Sequence, residues 1–190
     1  QVVIVPIPPR KGDINEAVLP KAREVAAMLR GAGLRVHLDD RDQFQPGYKY
    51  ADWEMRGAPV RLEIGPKDIE KDQCVLVRRD TRTKEFVPLA GTAARLGEIH
   101  AAMQRDLLEK ARAFVAANTT RVRTWDEFKQ VMAEKRGFIV AGWNGDAAIE
   151  ARIKEETKAT VRVMAVDDGR EAPCIVTGKP GREVYFAQAY

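Results

Sequence analysis

The segment that most restricts the fold lies at the start of the chain, where Val2-Val3-Ile4-Val5 forms an unbroken β-branched run stopped by Pro6, Pro8 and Pro9. A run without polar alternation predicts a strand covered on both faces, the kind found in parallel sheets flanked by helices. Val18, Ala22, Val25, Ala26 and Leu29 then fall on one helical face. Pro20 places the start of the regular helix close to itself, because proline is tolerated in a first turn and harmful later. Gly31 and Gly33 end this helix, and Leu34 to Leu38 predicts a second strand. Strand, helix and strand in this order imply a parallel pair with a right-handed crossover.

A charged loop, Asp39-Asp40-Arg41-Asp42-Gln43-Phe44-Gln45, closes with the turn signal Pro46-Gly47, and a short amphipathic helix is expected from Tyr48 to Arg56. Val60-Arg61-Leu62-Glu63-Ile64 alternates apolar and charged residues, which predicts a strand whose wet face carries Arg61 and Glu63. Cys74 to Arg78 and Glu85 to Leu89 add two strands, for a mixed sheet of about five with helices on its faces. Leu96, Ile99, Met103, Leu107, Ala111 and Phe114 mark a long helix. Asn118 to Arg123 is then the expected domain boundary, dividing an α/β domain (1–117) from a smaller α+β domain (118–190). In the second domain, Thr124-Trp125-Asp126-Glu127 is a capping-box pattern, and Asp146 is expected to cap a helix through Ile149 and Ile153. Strands are expected at Phe138 to Trp143, Thr160 to Val166, Cys174 to Thr177 and Val184 to Ala187.

With 190 residues, 45% of them hydrophobic, the chain can bury a normal core as one domain or two. Its net charge of +4 suits a polyanionic partner but is common in proteins that bind none. No apolar run approaches the ~20 residues of a membrane span and no signal peptide opens the chain, so no membrane partner and a cytoplasmic location are expected. The chain begins with Gln1 inside a strand pattern, as a piece of a longer protein would. Cys74 and Cys174 form no CxxC pair, which favours free thiols.

Neither His37 nor His100 has a second metal ligand at a useful spacing, and the glycine-rich phosphate loops, the GxSxG elbow and HExxH are missing. No catalytic residue is therefore assigned, and the chain alone is expected to be non-catalytic. The informative stretch runs from Pro46-Gly47-Tyr48-Lys49-Tyr50 through Trp53-Glu54-Met55-Arg56 to Arg61-Leu62-Glu63-Ile64-Gly65-Pro66-Lys67-Asp68, mixing rings, carboxylates and cations. Splayed RNA bases stack on such rings. A guanine offers N1–H and N2–H to a carboxylate, and O6 and N7 to Arg or Lys. The same residues also suit ordinary surface ion pairs, Glu54 with Arg61 or Asp68 with Lys67, worth ~0–1 kcal/mol, with Trp53 as core.

The run from Leu38-Asp39-Asp40-Arg41-Asp42 to Lys67-Asp68 resembles the anticodon-binding domain of prolyl-tRNA synthetases of the archaeal and eukaryote-like type, which also occurs in some bacteria. Lys154-Glu155-Glu156-Thr157, Ala159-Thr160 and the ending Val184 to Tyr190 resemble the C-terminal extension of that type, so the likeness covers essentially the whole chain. It implies the class II synthetase anticodon-binding fold. It also implies an aromatic platform at Tyr50, where phenylalanine is usual, with guanine contacts at Glu54, Arg61, Lys67 and Asp68. The partner implied is the anticodon loop of tRNA(Pro). The whole enzyme would ligate L-proline to that tRNA, with ATP and Mg2+ in a separate catalytic domain and no cofactor in this part, and it would be a homodimer.

Relatives often carry CGxxxC and CxxCG as a zinc site, whereas this chain has Asn144-Gly145-Asp146-Ala147-Ala148-Ile149 and Cys174-Ile175-Val176-Thr177-Gly178. One thiolate cannot complete a tetrahedral structural site, so no metal is expected, with apolar packing around Ile149 and Cys174 in its place. The resemblance directs Tyr190 and its carboxylate toward the catalytic domain. The alternative reading is a stand-alone RNA-binding or regulatory protein built on the same fold.

Overall fold

The computed structural model describes residues 1–9, 13–164 and 169–188. The chain divides into two compact units, Gln1–Leu107 and Leu108–Tyr190, the division falling inside a long helix.

In the first unit, β1 (Val2–Pro6) is buried along its whole length. The one-turn α1 (Ile14–Ala17) leads into α2 (Leu19–Gly31), whose first turn accommodates Pro20. β2 (Val36–Leu38) lies parallel to β1, with Val36 opposite Val2. α3 (Pro46–Met55) starts at its proline after an extended Gln45. β3 (Val60–Ile64) then pairs parallel with the other edge of β1. The short α4 (Pro66–Glu70) precedes the antiparallel strands β4 (Gln73–Arg78) and β5 (Lys84–Pro88). The sheet order is β2-β1-β3-β4-β5, five strands of mixed direction as expected. The first part of α5 (Thr92–Ala117), as far as Leu107, closes the unit.

One face of the sheet presents Val2, Ile4, Val60, Leu62, Ile64, Cys74, Leu76 and Val87 to α2 and to Leu96, Ile99 and Met103 of α5. Full burial of a Leu or Ile side chain contributes ~1.5–3 kcal/mol, so these rows hold the unit together. The opposite face was expected to be wet at β3, and it is not: Arg61 and Glu63 are each only 9% exposed. The reason is local compensation, since each charge finds a partner beneath α3. Alternation of apolar and charged residues shows which residues share a face but not whether that face is covered. The apolar row of α5 is likewise buried only as far as Met103, with Leu107 and Phe114 exposed.

In the second unit, β6 (Thr119–Arg121) occupies the stretch expected to be a boundary and pairs parallel with β7 (Phe138–Trp143). Between them lies α6 (Trp125–Glu134), which carries the expected capping box: the Thr124 hydroxyl accepts from the Glu127 amide, and the Glu127 carboxylate accepts from the Thr124 amide. α7 (Ala147–Thr157) is capped by Asp146, which accepts from the Ala148 amide at 2.8 Å. β8 (Ala159–Met164), β9 (Glu171–Pro173) and β10 (Pro180–Gln188) complete a sheet of order β6-β7-β10-β8, with β9 on β10. The far end of the strand expected at Thr160 to Val166 lies outside the described residues.

Phe128, Met132, Ile139, Ile153, Val184 and Phe186 form the core of this unit, with Phe128 edge-on to Phe186 at 5.1 Å. The strand expected at Cys174 to Thr177 is instead a tight turn between β9 and β10. The Gly178 amide donates to the Cys174 carbonyl at 2.8 Å, and the Cys174 amide to the Lys179 carbonyl at 2.8 Å. Four apolar or small residues in a row read as a strand, but Cys174 spends its backbone bonds within the turn, and the Ile175 amide donates to the Gly142 carbonyl at 2.9 Å outside any strand ladder. Gly142 permits the close approach of β7 and β9, since a Cβ there would lie 2.0 Å from the Pro173 carbonyl oxygen.

Candidate nucleic-acid interface

In the first unit β1 is the strand at which the winding reverses, with α2 against one face and α3 against the other. In open α/β sheets such a reversal leaves a crevice outside the carboxyl ends of the two central strands, and ligands bind there. Here those ends are Ile7-Pro8-Pro9 after β1 and Gly65-Pro66-Lys67-Asp68 after β3, which line an open cavity of about 420 Å³. The Ile7 amide donates to the Ile64 carbonyl at 2.8 Å and fixes the two ends side by side. Asp68 accepts from the Gly65 amide at 3.0 Å, so one of its oxygens caps α4, while Lys67 is exposed. Two of the five residues nominated for base contact thus sit at the rim of this crevice.

The other three meet toward the opposite end of β3. Arg61 lies with its guanidinium carbon 3.8 Å from the centre of the Tyr50 ring. Its Nε donates to Glu63 Oε1 at 3.0 Å, and its Nη1 donates to Glu54 Oε1 at 3.3 Å. Tyr50 and Glu54 project from α3 one helical turn apart, which is why they reach the same arginine. Burial, together with the nearby Glu63 charge and a hydrogen bond to Glu63, outweighs the effect of Arg61 and pushes the Tyr50 phenol up to about 12. The donor therefore remains protonated at neutral pH.

This cluster is more closed than the open cradle that the residue types suggest. The Arg61 side chain is 10% exposed whereas that of Glu54 is 39% exposed. Lys67 faces solvent, Tyr50, Glu54 and Asp68 are half-buried, and Arg61 is partnered by carboxylates and a ring. A base that bonds to Arg61 must share it with Glu54, the longer of its two contacts. Tyr190 lies outside the described residues.

Sequence reading missed the polar latch that sets the pose of α3. Asp39 is 1% exposed, and its carboxylate accepts from Arg41 Nε at 2.8 Å, Arg41 Nη2 at 2.7 Å and Trp53 Nε1 at 2.7 Å. The buried Lys49 donates to the Asp39 carbonyl at 3.2 Å, and Arg41 continues to Asp52 at 2.8 Å. Burial alone would raise the Asp39 pKa, but the bonds from Arg41 and Trp53 and the charge of Lys49 hold it down at about 2. Trp53 and Lys49 carried the signal, because a half-buried indole needs an acceptor and a buried Lys needs a counter-charge. Glu63 was missed as well, having been placed on a wet face. His37 packs against Trp53 at 4.5 Å, and His100 Nε2 lies 3.0 Å from the Gln1 carbonyl oxygen.

In the second unit, Ile149, Ile175 and Val176 pack against the core and Cys174 is 3% exposed. Burial would raise the Cys174 thiol, but bonds from the Thr177 hydroxyl and from the Thr177, Val176 and Asn144 amides lower it below its ordinary value. Among the described residues no group of three or more His, Cys, Asp or Glu side chains converges as a metal site requires. Among the same residues no helix is long and apolar enough to cross a membrane.

Comparison with known proteins bears on the family to which this fold belongs. Residues 1–99 match the family described as "Anticodon binding domain", and residues 125–190 match "Prolyl-tRNA synthetase, C-terminal". The chain is similar along its whole length to the proline–tRNA ligase of Rubrobacter xylanophilus, at 46% identity. It is 43% identical to proline–tRNA ligase 2 of Clostridioides difficile and 47% identical to the proline–tRNA ligase of Lachnoclostridium phytofermentans, again over the whole chain. It spans 39% of the length of each of these relatives. An anticodon-binding fold followed by a family-specific C-terminal unit, together with relatives matched along the whole chain, means that the chain belongs to the prolyl-tRNA synthetase family.

Proposed function

We propose that the chain reads the guanines of a proline anticodon for an enzyme that joins L-proline to tRNA(Pro) with ATP. The observation that supports this most strongly is the pair of family matches in series, the first of them over a sheet whose β3 presents candidate base contacts at both ends. Tyr50 offers a ring, Glu54 an acceptor for guanine N1–H and N2–H, and Arg61 and Lys67 donors for O6 and N7, with Asp68 as a second acceptor. ATP and Mg2+ would act in a catalytic part of the longer protein, and that part and a second copy of the enzyme are its proposed partners, in the cytoplasm. Tyr190 is proposed to meet the catalytic part. A wrong anticodon would leave Glu54 and Arg61 with unmatched polar groups, which penalises it.

The test is made in the longer protein. Glu54→Ala should lower kcat/KM for tRNA in proline attachment and leave ATP-dependent proline activation unchanged. Equal attachment rates for the variant and the parent would overturn the reading.

A further inference from the structure

We propose that Glu63, which is not among the nominated base contacts, is the positioning residue for guanine reading: it holds Arg61 by one edge against the Tyr50 ring, leaving the other edge of Arg61 and the Glu54 carboxylate available to a base. The inference rests on the anticodon reading proposed above.

Glu63 follows Arg61 by two residues on β3, so both side chains emerge on the face beneath α3. Its carboxylate takes the Arg61 Nε proton at 3.0 Å, with Nη2 of the same guanidinium 2.9 Å from the same oxygen. This buried carboxylate therefore fixes the cation, whose guanidinium carbon lies 3.8 Å from the centre of the Tyr50 ring.

The edge chosen matters. Arg carries five N–H donors in a planar fork, and the edge formed by Nη1 and Nη2 is one that can meet guanine O6 and N7 together. Glu63 occupies the Nε and Nη2 side. On the outer side Nη1 meets Glu54 at 3.3 Å, longer than the 2.7–2.9 Å usual for a charge-assisted bond. Without Glu63, a cation with a 10% exposed side chain would turn fully onto Glu54. Both the outer edge and the carboxylate meant for guanine N1–H and N2–H would then be spent on each other.

The experiment titrates the 190-residue chain with a proline-anticodon stem-loop and with the same stem-loop after its guanines are replaced. Glu63→Gln keeps size and shape. It should reduce the affinity ratio between the two RNAs by about tenfold or more, the order expected when a bidentate base contact is lost. Lys84→Ala removes a 58% exposed ammonium 3.7 Å from the other Glu63 oxygen and should leave the ratio unchanged. An unchanged ratio in Glu63→Gln, or equal weakening for both RNAs, would overturn the proposal, the second result marking Glu63 as structural only. A parent chain that fails to distinguish the two RNAs would instead remove the anticodon reading itself. If Glu63→Gln does not fold, exchange of the Arg61 Nε proton in the parent chain decides. It should stay protected when the cognate stem-loop binds, and loss of protection would refute a persistent Glu63 bond.

Discussion

Replacing Asp39 by Asn tests how α3, which carries Tyr50 and Glu54, is held on the sheet. The Asp39 carboxyl sits at about 2 against an ordinary 3.8, with its side chain out of contact with solvent. At ~1.4 kcal/mol per pH unit this corresponds to roughly 2 kcal/mol of folding free energy near neutral pH. The Asp39→Asn side chain would still accept from Trp53 but would leave the buried Lys49 without its anion, which adds to the cost, so a loss of about 2–4 kcal/mol is expected. Because the folded-state value is depressed, the stabilisation is fully present above the ordinary value of 3.8 and disappears as pH falls toward about 2. Urea unfolding of parent and Asp39→Asn at a series of pH values should show a gap of this size at pH ~7 that narrows progressively below pH ~4. A gap that is small at neutral pH, or that does not change with acid, would refute the assignment of Asp39 as an ionised latch.

Three further outcomes follow from the geometry. Arg61→Ala should weaken binding of a proline-anticodon stem-loop by about 1–3 kcal/mol more than binding of one lacking the guanines, as read by fluorescence titration; equal losses would indicate phosphate contact or a folding defect. Gly142→Ala should displace β9 or destabilise the second unit, since its Cβ would lie 2.0 Å from the Pro173 carbonyl oxygen; a melting temperature within a degree or so of the parent's would show that the close approach is not enforced. Thr124→Ala should cost about 1 kcal/mol by removing the side-chain half of the α6 capping box, measured by chemical denaturation.

Elements with strong local signals were legible in the sequence. The β-branched run at Val2 gave a buried parallel strand, Pro20 fixed the first turn of α2, and Thr124 with Glu127 located the start of α6. What was not legible depended on distant partners. β3 looked half-wet because its charges alternate, yet Arg61 and Glu63 neutralise each other under α3. β6 escaped notice because three polar residues become a strand only when β7 lies beside them. Cys174 to Thr177 has the composition of a strand and the hydrogen bonds of a turn. The residue types that suit a guanine were visible in the stretch from Tyr50 to Asp68, but the residue proposed to orient them, Glu63, was hidden by a period-two pattern that says nothing of burial.

The most direct measurement is a titration of the unaltered chain with the proline-anticodon stem-loop and its guanine-free counterpart at two salt concentrations. Base reading predicts that both affinities fall as salt rises while their ratio, in favour of the guanine-bearing RNA, persists. Two RNAs bound with equal strength at both salt concentrations would contradict the account, because only the charge of the chain would then be at work.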